Sequence, residues 1–454
     1  MVASIRILTT ILSPEELGNY YLATAILTFF NLVLLNPPGM YFGRHLLHWQ
    51  ESKNLLNAIF LFILWMFAVA VVTIPLLFIL FEYMGYADKF SFKLFLLFIT
   101  LAMLISTTHR NVMYGTNTLG HKKEFVISLI ATLILGLTVS SSLTYFYNAT
   151  SLNWLFGIVV SEAMALYFIF RLFTLNNKLN IKKIKETIKK ERIIKILKFC
   201  VPIAITTFFM WGQNLSYRFI VDYKYSAEML AYIAVGFGIS AAVFGSIESL
   251  VMQYFNPIFL KDILNTTKEQ RAEAWNKMAS YVVPIYILTT VFAVTMAELL
   301  ITLLVDSKFH GAYYYVMLGA LFEFFRVMTG LLNNVAQAEH KTAFTIKPYL
   351  VGFTVSIGLL VLCDFQERII MVPVVMVIAY YLVFFIMHIQ MKKLLNIKVT
   401  IVSKKLSLLI IPFSVIYFLP ELISIYSNIF LLFIFSLYFL FANWLLIRKT
   451  PTNM

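Results

Sequence analysis

Charge is scarce in this chain: only 13% of its 454 residues are Asp, Glu, Lys or Arg, while 61% are hydrophobic. That balance excludes an ordinary soluble domain, where charged residues approach a quarter of the total. Cysteine is nearly missing; Cys200 and Cys363 both fall in or beside apolar runs, so no disulfide framework is expected. The phosphate loop G-x-x-x-x-G-K-S/T is absent, which removes the usual cradle for a nucleotide, and ATP hydrolysis is not expected. The seven histidines are scattered without metal-ligand spacing, and no catalytic triad shares a scaffold. No resident cofactor is expected. Long polar loops are missing too, which leaves no room for a soluble catalytic domain.

What the chain does have is one apolar run after another, continuous instead of alternating, which excludes a β-barrel. Backbone polar groups in hydrocarbon must be satisfied within the segment, so these runs are expected to be helices. Spans are expected near 19–35, 57–81, 94–114, 125–147, 153–173, 199–221, 230–253, 279–304, 313–335, 343–362, 369–391, 406–420 and 427–447. A short apolar stub, residues 1–12, precedes them. The expected fold is an all-α polytopic membrane protein with about 13 or 14 transmembrane helices, the first incomplete. A stub of twelve residues covers about 18 Å against a hydrocarbon core of about 30 Å.

The net charge of +14 could indicate nucleic-acid binding, but its placement indicates a membrane orientation. If the stub runs outward, 27 Lys and Arg fall on the cytoplasmic side, five fall outside, and Arg6, Arg110, Arg218 and Arg326 lie inside spans. This positive-inside asymmetry predicts a multi-pass protein with a cytoplasmic C-terminus and no nucleic-acid partner. Residues 176–198 are basic, with Ile and Leu at roughly helical spacing. They read either as a solvated loop or as an amphipathic helix touching anionic lipids. They divide the chain into an N-terminal lobe (1–175), a linker (176–198), a C-terminal lobe (199–391) and two additional helices (392–454).

The halves resemble each other. Ser13-Pro-Glu-Glu-Leu-Gly18 and Ser226-Ala-Glu-Met-Leu-Ala231 each lie between two spans, 213 residues apart. Each has an arginine upstream (Arg6, Arg218), and each is followed by a span ending in Asn-Pro, at Asn36-Pro37 and Asn256-Pro257. Both copies run in the same direction, so two pseudo-symmetric lobes around a central cavity are expected.

The segment from Arg6 to Tyr20 resembles the first outer turn of bacterial polysaccharide flippases, the O-antigen and capsule exporters of the multidrug/oligosaccharidyl-lipid/polysaccharide superfamily. Tyr217-Arg218 followed by Ser226–Tyr232 resembles its second-half counterpart. Two departures stand out. The family's acidic residue before the second arginine is replaced by Tyr217, for which Asp222 could substitute, and the family normally has some twenty residues before the position of Arg6, whereas here only twelve precede the turn. The resemblance implies transport of an undecaprenyl-pyrophosphate-linked oligosaccharide across the inner membrane by alternating access, beside other polysaccharide-assembly membrane proteins. It implies no enzymatic activity, and coupling to a proton or sodium ion.

A guanidinium in mid-bilayer costs roughly 2.5–3.5 kcal/mol on insertion scales, so it must snorkel, pair or face water. Arg326 shares a helix face with Glu323, either as a self-neutralised pair or as a group meeting a substrate anion. Trp211, Asn214, Arg218 and Asp222 make one stripe, suited to a sugar path, although Arg218 and Arg6 are near the outer surface and can snorkel. Arg110, beside His109, is expected to snorkel at the inner end of its span. Glu162 and Glu248, with Glu323, are candidate coupling carboxylates; for Glu248, with the small residues Gly238, Ala241 and Gly245 on its face, an interhelical hydrogen bond is the alternative. Two other functions compete: a drug or small-cation antiporter, which needs an acidic cavity, and a membrane polymerase or ligase, which needs a large outer loop.

Overall fold

The computed structural model describes residues 2–174, 190–264, 266–339, 341–365, 368–398, 404–418 and 425–448. Most of the basic linker expected at 176–198 lies outside them. The described residues contain helices and turns and no strand. Twelve helices among them are long and apolar enough to cross a membrane, and a shorter apolar helix covers Leu406–Ile416, where the sequence placed a span at 406–420. The chain is a multi-pass, all-helical membrane protein.

In chain order the helices are α1 (Val2–Ile11), α2 (Pro14–Phe29), α3 (Asn36–Glu51), α4 (Leu55–Met84), α5 (Phe92–Thr118), α6 (Lys122–Phe146), α7 (Ser151–Thr174), α8 (Lys190–Leu215) and α9 (Tyr217–Lys224). There follow α10 (Ala227–Asp262), α11 (Lys268–Thr295), α12 (Ala297–Leu304), α13 (Tyr313–Ala338), α14 (Ile346–Leu362), α15 (Met371–Leu395), α16 (Lys404–Ile410) and α17 (Ile425–Ile447). Local chemistry sets many of the ends. Ser13 caps α2 by accepting from the Glu16 amide at 3.2 Å, with Pro14 in the first turn and two glutamates on the positive end of the helix dipole. Thr267 and Gln270 form a reciprocal capping box on α11. Gly85, at φ +67°, ends α4 in the left-handed conformation.

The Asn-Pro pairs do not end their helices, contrary to the sequence expectation. Between α2 and α3 the chain forms a π-helix over Phe30–Leu35 and continues through Pro37 and Pro38 to Glu51. The Asn36 amide reaches back to the Asn31 carbonyl, and the prolines stand in the first positions of α3, where a missing amide costs least. Helix α10 likewise continues through Pro257 to Asp262. Two other expected spans are interrupted: 199–221 breaks at Ser216, and 279–304 breaks at Met296.

By contact the chain forms two compact units, Ile11–Glu228 and Met1–Thr10 with Met229–Met454. In the first, α7 packs on α6 and α5, and α8 packs on α3 and the π-helix. The α6–α7 seam depends on small residues: a Cβ on Gly157 would lie 2.4 Å from the Ser140 Cα, and Ser140 Oγ donates to the Trp154 carbonyl at 2.8 Å. In the second unit α13 packs on α15 and α11, and α10 meets α13 through small residues. There Gly236 lies against Tyr315, and Ser240 Oγ donates to the Val316 carbonyl at 2.7 Å. Lipid gives no hydrophobic reason for helices to associate, so close backbone approach and short polar ties replace it.

Candidate functional site

A cavity of about 400 Å³ opens inside the first unit, between the π-helix with α3 on one side and α5 on the other. Its volume is within the range of small-molecule sites. Two arginines, Arg44 and Arg110, line it with three carboxamides (Asn31, Asn36, Asn111), Thr107 and Tyr114. No acidic side chain is among its lining residues.

Helical spacing explains why these groups converge. Asn36, Gly39, Met40, Gly43 and Arg44 follow one another at one helix face, and so do Thr107, Arg110, Asn111 and Tyr114. The glycines leave the room. A Cβ on Gly39 would be 3.1 Å from Asn111 Oδ1, and one on Gly43 would be 3.2 Å from the Tyr114 ring. Thr107 Oγ1 donates to Asn31 Oδ1 at 2.8 Å, which fixes the π-helix against α5. Arg44 lies over the Phe199 ring at 4.8 Å. Among the described residues neither Arg44 nor Arg110 has an ion-pair partner. Arg110 lines this cavity and is exposed toward the C-terminal end of α5.

Behind the α5 wall, Glu162 of α7 accepts a hydrogen bond from Ser106 Oγ. His109, buried, is 3.4 Å from Thr132 Oγ1 of α6.

The stripe expected on 211–222 is present, but its members bind other parts of the protein. Trp211 Nε1 donates to the Ala25 carbonyl at 3.0 Å, and its ring meets Phe29 edge-on with centroids 4.9 Å apart. Asn214 Nδ2 donates to the Met210 carbonyl at 2.8 Å. Arg218 donates to the Tyr21 carbonyl at 2.9 Å and to Thr24 Oγ1 at 3.2 Å, with Tyr21's ring beneath it. Asp222 does not partner Arg218, correcting the sequence expectation; its ion pair is with Lys89. Arg218 and Asp222 share the short helix α9, but the guanidinium is taken up by Tyr21 and Thr24 of α2, and Lys89, distant in sequence, pairs with the carboxylate.

In the second unit Arg326 connects two carboxylates. Its Nε is 2.6 Å from Glu323 on α13, and a terminal nitrogen is 2.7 Å from Glu248 on α10. The expected i,i+3 pair therefore has a third member. Gly245 faces open space, but Gly330 of α13 lies opposite Glu248, where a Cβ would be 3.6 Å from Oε1; the closest approach of α10 and α13 is made by Gly236 and Gly319. Tyr286 of α11 is buried near Glu248 and Arg326, and among the described residues its hydroxyl has no hydrogen-bond partner. Arg6 donates to the Val305 carbonyl, and Thr9 Oγ1 accepts from the Asp306 amide at 3.2 Å, which ties α1 to the end of α12.

Sequence reasoning missed Arg44, Asn31, Asn36 and Asn111. It placed 36–56 in a loop, where helical spacing has no meaning; read as helix, Asn36 to Arg44 would have shown the polar face.

A family model described as polysaccharide biosynthesis protein matches residues 7–313. Among solved structures, the lipid II flippase MurJ in an inward closed conformation is similar at a TM-score of 0.65 and 13% identity, covering 99% of this chain and 96% of MurJ. An inward-facing multidrug resistance MATE family transporter of the MOP superfamily matches at 0.64 and 11% identity, over 87% of this chain and 94% of the other. A eukaryotic MATE transporter matches at 0.55 and 13%, over 87% and 95%. At these identities the likeness is one of fold. No curated protein matches in sequence.

Proposed function

The chain belongs to the polysaccharide biosynthesis protein family, and on that footing we propose that it is a flippase for an undecaprenyl-pyrophosphate-linked oligosaccharide. It works by alternating access in a bacterial inner membrane, with its C-terminus in the cytoplasm. The orientation rests on the excess of Lys and Arg on one side of the spans.

The observation that carries this reading is the cavity with Arg44 and Arg110. Two guanidiniums without carboxylate partners, ringed by carboxamides, suit an anion that offers several oxygens. Arg44 and Arg110 lie toward the basic, cytoplasmic ends of α3 and α5, where a lipid-linked pyrophosphate would enter. The half-exposed ring of Tyr114 offers a face on which a first sugar can stack. The alternative of a cation antiporter is less well supported, because this cavity is lined by no carboxylate.

Arg6, Arg218 and Trp211 hold backbone carbonyls, and their proposed role is to tie helices along the path. Glu248 and Glu323 share Arg326, so the fully ionised set carries one more negative charge than it neutralises. A coupling proton or sodium ion would balance that charge.

The test is export of lipid-linked glycan in cells lacking the chromosomal copy. Arg44→Gln and Arg110→Gln should each lower export at unchanged membrane levels, and lysine at either position should restore part of it. Full export by the Arg44→Gln/Arg110→Gln double variant would remove the cavity from the transport path.

A further inference from the structure

We propose that Asn111 selects an acylamino group on the sugar next to the anion, its side-chain oxygen accepting that group's N–H through the gap left by Gly39, a role that rests on reading the cavity of Arg44 and Arg110 as an anion site.

A carboxamide can face a cavity with either edge, and its bonds to backbone decide which. Asn111 Nδ2 donates to the Thr107 carbonyl, one turn back on α5, at 2.8 Å. A carbonyl oxygen only accepts, so the amide nitrogen must be the atom that faces it, and Oδ1 is the edge turned away. That edge meets Gly39 of α3, where a Cβ would lie 3.1 Å from Oδ1 and 3.7 Å from Nδ2. The missing side chain leaves the oxygen uncovered. Among the described residues no N–H or O–H donates to it.

The other carboxamides of the lining differ. Asn31 donates to the Leu27 carbonyl at 3.1 Å and accepts from Thr107 Oγ1 at 2.8 Å, so both its edges are engaged within the wall. Asn36 is tied to the Met40 sulfur at 3.8 Å, a weak acceptor, and is free to turn either edge. Arg44 and Arg110 offer N–H groups and no acceptor. Among these groups Asn111 alone presents a carboxamide oxygen that is both fixed and open.

The surroundings of that oxygen favour an amide over a hydroxyl. A sugar hydroxyl puts donor and acceptor on one atom. An acetamido group puts N–H and C=O on opposite edges of a plane and adds an apolar methyl. The cavity holds the matching set: Oδ1 of Asn111 for the N–H, guanidinium N–H for the C=O, and Leu35, Met40 and the bare Gly43 for the methyl. Each guanidinium carries five donors, enough for phosphate oxygens and a neighbouring carbonyl together.

The probes are two short-chain prenyl-pyrophosphoryl sugars of equal charge. One is the 2-acetamido sugar; in the other, the 2-O-acetyl analogue, an ester oxygen replaces the N–H and the acetyl group stays. Binding to the full-length protein in lipid nanodiscs is followed by titration calorimetry. Wild type should bind the acetamido probe about tenfold more tightly, since the ester sets a lone pair against Oδ1 where the amide makes a hydrogen bond. Asn111→Leu should bring the ratio of the two affinities close to one. Gly39→Ala keeps the amide and its tie to Thr107 but covers the oxygen, and should lower the ratio as well. Equal affinities in wild type, or a tenfold ratio that persists in Asn111→Leu and Gly39→Ala, overturns the role of Asn111 and leaves the anion site standing. Binding of neither probe by wild type, or unchanged affinities in Arg44→Gln/Arg110→Gln, overturns the anion site and this role with it. Elution profile and melting temperature show that each variant is folded; should Asn111→Leu fail to fold, Gly39→Ala decides.

Discussion

Arg326 reaches across from α13 to Glu248 on α10 at 2.7 Å while holding Glu323, three residues away on its own helix, at 2.6 Å. The guanidinium is a junction between helices, and its removal strands two carboxylates instead of one. Breaking a buried ion pair from one side costs roughly 3–5 kcal/mol; the low end applies here, because Arg326 and Glu248 keep some solvent access. Arg326→Ala should lower the melting temperature of the purified protein and reduce export. Arg326→Ala/Glu323→Gln should recover only part of the stability, and adding Glu248→Gln should recover most of it. Full recovery in the double variant would show that Glu248 does not depend on Arg326. Full export by the triple variant would exclude the triad from transport and coupling.

A second ion pair closes the first unit. The side chain of Asp222 is almost fully buried against Lys89, which is itself partly exposed. Lys89→Ala leaves a buried carboxylate without its partner and should destabilise the protein by about 2 kcal/mol or more. Lys89→Met/Asp222→Asn, which removes both charges, should be closer to wild type. Thermal unfolding of the two variants decides this; equal losses would mean that Asp222 is compensated elsewhere.

Space in the cavity depends on Gly39 and Gly43. A Cβ on Gly43 would press on the Tyr114 ring at 3.2 Å, and that ring is free to give because it is half exposed. Gly43→Leu should therefore fill the cavity at a cost in stability of about 1 kcal/mol while export falls severalfold. Wild-type export by a stably inserted Gly43→Leu protein would argue that nothing bulky passes there.

Gly18 tolerates no side chain. A Cβ at this position would lie 1.9 Å from the carbonyl oxygen of Ala227, and backbone cannot yield as a flexible side chain can. Gly18→Ala should destabilise the protein by about 1–3 kcal/mol, read as a lower melting temperature. An unchanged value would show that the two turns separate at little cost.

The orientation is open to direct test. Reporter fusions after Lys122 and after Asp306 should be cytoplasmic and external, respectively. The reverse pattern would invert the assignment of every loop.

The sequence by itself determined that this is a helical membrane protein, because apolar runs of membrane length can satisfy their backbone only as helices. The distribution of Lys and Arg and the recurring serine turns supplied the expectation of an orientation and a repeat. Within single helices it was reliable: the Glu323–Arg326 pair was legible because i,i+3 spacing alone brings the groups together. Contacts between helices were not legible. Nothing in the spacing of residues 211–222 shows that Asp222 meets Lys89, 133 positions away, or that Glu248 joins Arg326. The cavity was hidden for a local reason as well. Asn-Pro-Pro-Gly reads as a turn, and only the widened π-helix before it lets the chain remain helical and bring Arg44 onto the same face as Asn36. Periodicity specifies which face of a helix is polar; the tertiary structure decides which charges on those faces find partners and which, like Arg44 and Arg110, are left facing open space.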